Sequence, residues 1–292
     1  MKKIILILLL SFCFCFSQYS DYTSSSTQVT TITGDSTLQF IYENSFVWMI
    51  PAEYTIEADT VAYYSMSKKA DSLDWYPRSF AAGRTEGNRA AISTNIDGNH
   101  NWGWDFVVGA GVGCAISFTL ESPVNKAFDD AYDADSTTTI FVVYNPDTHE
   151  DSWGVLYGGF NRATTTYGMG LVWRDKDQAG YTADSLELRW LENSSGVLIR
   201  KACVSGSWHY VMGSAGPTGG TIRVDGSEST TTDARDGFAS YENSIAVGRS
   251  LVSSDGCELD MGLAEIIMFF GDPLTSGQIT DIETYLKNKY GL

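Results

Sequence analysis

Basic residues are scarce in this sequence. Nineteen lysines and arginines face thirty-six carboxylates, giving a formal net charge of −17 at pH 7. Such an acidic surface repels phosphate backbones and anionic lipid, which argues against nucleic acid or a membrane surface as partner. Histidine is nearly absent, and His100, His149 and His209 are far apart, so no Cys/His set stands at zinc spacing. Neither a Gly-x-Ser-x-Gly nucleophile turn nor a phosphate-cradling P-loop occurs. Long apolar runs are missing too, with one exception at the N-terminus.

That exception spans residues 4–16, interrupted only by Ser11 and preceded by Lys2 and Lys3. It is shorter than the roughly 20 apolar residues a bilayer span needs, and its charged start and apolar middle match a secretory signal. Cleavage is expected after Ser17, although without an Ala-x-Ala site a retained anchor stays open. Lipidation is disfavoured because Phe12 and Phe14, not small residues, precede Cys13 and Cys15. Loss of the signal removes both lysines and makes the remainder still more acidic. The expected location is secreted, periplasmic or cell-surface, with no membrane insertion after cleavage. Three cysteines then remain. Cys114, in the glycine-bounded apolar run 109–118, reads as a small buried hydrophobe, and Cys203 with Cys257 is the candidate bridge.

Residues 18–38 are rich in Ser and Thr and read as a polar leader; residues 39–292 read as one domain. Within it, Leu186, Leu188 and Trp190 alternate with Glu187 and Arg189, the period of a strand with one wet face. Ile222 and Val224 flank Arg223 before the tight-turn pair Asp225-Gly226. The continuous apolar runs 140–144 and 266–270 suit central strands buried on both faces. Glycine punctuation elsewhere completes an all-β, antiparallel two-sheet sandwich pattern. One helix is signalled, at the C-terminus. Thr275 and Gln278 form a capping box, Ile279, Ile282, Tyr285 and Leu286 an apolar stripe, and Gly291 lies just past the end. It is expected to pack on the sandwich edge.

The ordered pieces TIFVVY at 139–144, GVLYGG at 154–159, WHYV at 208–211, GTIRVDG at 220–226, IAVGR at 245–249, LAEIIMF at 263–269 and IETYLKNKY at 282–290 carry a resemblance. From Ser136 onward the chain resembles the concanavalin A-like lectin/glucanase superfamily, in particular the laminin G-like jelly-roll domains of exported bacterial proteins. That resemblance implies a jelly-roll sandwich and carbohydrate, glycan or protein ligands, sometimes with calcium near a rim. Fold-level likeness by itself identifies no ligand.

The segment 97–105 is the strongest local candidate for a site. Trp102 and Trp104 stand two apart, so in an extended segment their rings share one side and can stack on sugar, with His100 and Asn101 bonding hydroxyls. Burial of both indoles in the core is the competing reading. Asp97, Asn99, Asn101 and Asp105 offer alternating oxygens for calcium, although Trp102 stands where a calcium loop has glycine. Asp129, Asp130, Asp133 and Asp135 form a second acidic cluster. A laminarinase-type hydrolase of the superfamily would carry two Glu flanking an Asp on one strand, whereas Glu258, Asp260 and Glu265 have the wrong spacing. His209, between Trp208 and Tyr210, reads as structural. The sequence therefore favours an exported, non-catalytic, carbohydrate-binding module acting on an extracellular or cell-surface glycan. An adhesion protein contacting a cell-surface protein, or a glycoside hydrolase or polysaccharide lyase with an unrecognised site, are the alternatives.

Overall fold

The computed structural model describes residues 35–49, 63–64, 74–79, 91–95, 102–106, 114–118, 136–146, 154–158, 167–174, 184–192, 195–232, 246–247 and 261–292. In chain order these form α1 (Ser36–Asn44), β1 (Val47–Met49), β2 (Tyr63–Tyr64), β3 (Asp74–Ser79), β4 (Ala91–Asn95), β5 (Trp102–Phe106), β6 (Cys114–Phe118) and β7 (Thr137–Pro146). There follow β8 (Gly154–Gly158), β9 (Tyr167–Arg174), β10 (Ser185–Glu192), β11 (Ser195–Ala202), β12 (His209–Gly216), β13 (Gly219–Val224), β14 (Ser227–Thr231), β15 (Ala246–Val247), β16 (Met261–Gly271) and α2 (Ser276–Tyr290). Among the described residues the fold is mostly β, in two antiparallel eight-stranded sheets. The first runs β14-β13-β12-β7-β16-β5-β4, with β1 also pairing to β16. The second runs β11-β10-β9-β8-β15-β6-β3-β2.

The two continuous apolar runs do form central strands buried on both faces. On β7, Ile140, Val142 and Tyr144 alternate with Phe141 and Val143, and all five are buried. Phe141 and Val143 belong to a cluster with Ile41 and Tyr42 of α1 and Ile282, Leu286 and Tyr290 of α2. The opposite face meets the second sheet. A Cβ added at Gly213 of β12 would lie 3.0 Å from Leu171 Cδ2 of β9 and 3.3 Å from Leu188 Cδ1 of β10, with Ile140 of β7 beside it. The architecture is thus three layers: helices, first sheet, second sheet. Each large apolar side chain sealed in this way is worth about 1.5–3 kcal/mol, so a strand that faces two layers need carry no polar alternation.

Local signals held where they were self-contained. Asp225 and Gly226 take φ of 51° and 77° and close the β13–β14 hairpin, the left-handed pair that a two-residue turn requires. The Thr275 hydroxyl accepts from Gln278 N while Gln278 Oε1 accepts from Thr275 N, and Gly291 ends α2 at φ 67°. Lys287 and Lys289 in the last turn complement the helix dipole.

Three expectations need correction. First, α2 does not sit on the sandwich edge. It lies across the face of the first sheet, because its buried Ile282, Leu286 and Tyr290 match the apolar outer face of β7 and β16. Second, α1 was not anticipated. Asp35 Oδ1 accepts from Thr37 N at 2.8 Å and Leu38 N at 3.2 Å to start it, and Phe40 stacks on Phe269 with ring centroids 5.8 Å apart. Third, the wet face expected on β10 is not wet at Glu187, which is as fully buried as Leu186 and Leu188.

Candidate functional site

The segment singled out for sugar and calcium is described only in part. Trp102, Trp104 and Asp105 lie on β5, with Trp104 opposite Leu263 of β16 and Ile92 of β4, and Trp102 opposite Asn95. Asp105 pairs with Gly262 and with Ala91. β5 is therefore an interior strand of the first sheet, flanked on both sides. Asp97, Asn99, His100 and Asn101 lie outside the described residues, as do Asp129, Asp130, Asp133, Asp135, Glu258 and Asp260. Among the described residues, no three His, Cys, Asp or Glu side chains gather into a metal-binding group.

What the structure brings together instead are buried polar nodes that a linear reading could not assemble. Glu265 stands at the bulge where β16 changes neighbours, its far side pairing with β5 before it and with β1 after it. Its carboxylate is fully buried and accepts from Trp48 Nε1 at 2.7 Å, Tyr290 OH at 2.8 Å, Lys289 Nζ at 2.9 Å and Tyr285 OH at 3.0 Å. Three elements, β1, β16 and α2, are tied to one carboxylate. A carboxylate so saturated with donors holds the fold together; it has no lone pair to spare for a substrate.

A second node lies between the β11–β12 connection and the β13–β14 turn. His209 Nδ1 meets Asp225 Oδ2 at 2.7 Å and Nε2 meets the Val204 carbonyl at 2.8 Å. Both partners only accept, so both ring nitrogens donate and the ring is an imidazolium. Burial opposes that charge, but the bond to Asp225, the neighbouring Cys203 and the Val204 carbonyl together raise the His209 pKa to about 10. Asp225 Oδ1 also accepts from Tyr210 N. Cys203 is a free, buried thiol 3.0 Å from Tyr144 OH, which corrects the Cys203–Cys257 bridge; Cys257 itself lies outside the described residues. Burial, then the nearby Cys203, then Asp225 push the Tyr144 hydroxyl well above its ordinary pKa, so it stays protonated. Cysteine, histidine and aspartate thus meet, with the sulfur buried and both imidazole nitrogens committed to Asp225 and the Val204 carbonyl. The node is a clamp, in line with the structural reading of His209.

A third node explains the buried carboxylate of β10. Arg189 reaches Glu187 Oε2 at 2.7 Å through both Nε and Nη2, and Arg200 Nε of β11 reaches Oε1. Register sets Arg200 directly across from Glu187 and Leu198 across from Arg189, so the arginines roof the carboxylate on one face of the second sheet. The alternation of β10 gave the two faces, but nothing in it signalled that the polar one is capped from a neighbouring strand.

The fold and these nodes define a two-sheet antiparallel β-sandwich with a helical layer on one sheet. No family model matches the chain, and no curated protein matches it. Solved structures do. A structure of botulinum neurotoxin type C, described by its dependence on two ganglioside molecules for cell entry, superposes with TM-score 0.54 at 9% identity, over 85% of this chain and 53% of that one. The binding domain of botulinum neurotoxin serotype D/C gives 0.54 at 11%, over 84% and 53%. A mutant Trypanosoma rangeli sialidase with trans-sialidase activity gives 0.52 at 12%, over 83% and 33%. The chain spans about half the length of the toxin structures and about a third of the sialidase. At these identities the likeness is one of fold.

Proposed function

We propose that this protein is an exported, non-catalytic carbohydrate-binding module that engages an extracellular or cell-surface glycan. The observation that carries the reading is the sandwich itself, which is shared with a toxin that interacts with gangliosides and with sialidases, proteins that handle sugar. The chemistry of the nodes is compatible with it. Among the described residues, Glu265, Glu187 and Asp225 each spend their carboxylate oxygens on internal donors, which suits a rigid platform more than a hydrolytic pair. Trp102 and Trp104 on β5 are the proposed stacking residues, with His100 and Asn101 as hydroxyl partners, and calcium through Asp97, Asn99, Asn101 and Asp105 is a secondary proposal.

The test is a glycan array probed with the full chain and with a Trp102→Ala/Trp104→Ala variant, with and without calcium. Binding by the parent and its loss in a folded double variant supports the reading and the site. Equal binding by both removes the two tryptophans from the site, and no binding to any glycan removes the reading.

A further inference from the structure

We draw no further inference here: the strongest candidate, the surface patch at the rim of the helical layer where the half-buried Trp208 stands over Gly262 of β16 beside the unpartnered Oδ1 of Asn145, carries nothing because nothing among the described residues shows what covers it.

Discussion

Glu283 of α2 shows how this protein uses charge inside its helical layer. Its side chain is 9% exposed and pairs with Arg223 of β13 at 2.9 Å, while Arg223 also reaches Glu228 of β14 at 3.4 Å. One carboxylate oxygen, Glu283 Oε1, is buried with no partner, and so is Arg223 Nε. Burial raises the Glu283 pKa, the Arg223 attraction only partly offsets it, and Glu228 adds to the rise. A carboxyl whose folded pKa lies above its unfolded value, ordinarily about 4.3, adds stability in acid and loses it as pH climbs through the folded value. Glu283→Gln removes that dependence. The melting temperature of the variant relative to the parent should therefore rise as pH goes from about 4 to 7, and a difference that stays flat or falls would show that Arg223 fully compensates the buried charge.

At the scale of elements, legibility followed the reach of each signal. The Asp225-Gly226 turn, the Thr275 and Gln278 box and the runs 140–144 and 266–270 are written in neighbouring residues, and the structure keeps them. What escaped depends on partners remote in sequence. Trp48 and Glu265 are 217 residues apart, and no period in either segment announces their bond. Glu187 looked solvent-facing because its roof, Arg200, comes from the next strand. Helix α1, nine residues long, is too short for a period to emerge from a Ser/Thr-rich setting and draws its stability from the aromatic and aliphatic surface beneath it. The sugar and calcium candidates are a different case, since four of the seven positions fall outside the described residues. The cap of α2, by contrast, supports a quantitative expectation. Thr275→Ala leaves the Gln278 amide unsatisfied and should cost about 1 kcal/mol, measured as a shift in the urea midpoint at constant slope. A loss much below that would mean α2 is held by its buried face and the Glu265 node alone.

For the molecule as a whole, the separation of layers decides which changes can reach function. The second sheet comes close to the first at Gly213, where a methyl would stand tight against Leu171 and Leu188, at 3.0 and 3.3 Å. The backbone there is an ordinary strand paired to β7 and β13, so the requirement for glycine is one of room between sheets. Gly213→Ala pushes on two leucines from different strands of the second sheet and meets Ile140 of the first at ordinary contact distance. Overpacking of this kind typically costs about 1–3 kcal/mol. The helical layer lies on the opposite face of the first sheet, where Phe141, Val143, Ile267 and Phe269 support α1 and α2. A strain introduced between the sheets is thus separated from α1 and α2 by a β layer. Gly213→Ala should lower the urea midpoint, and its cost should add to that of Thr275→Ala in α2 to within about 0.5 kcal/mol, as additivity of distant sites requires. A double variant that departs from that sum would show that the first sheet passes strain from between the sheets to the helical layer.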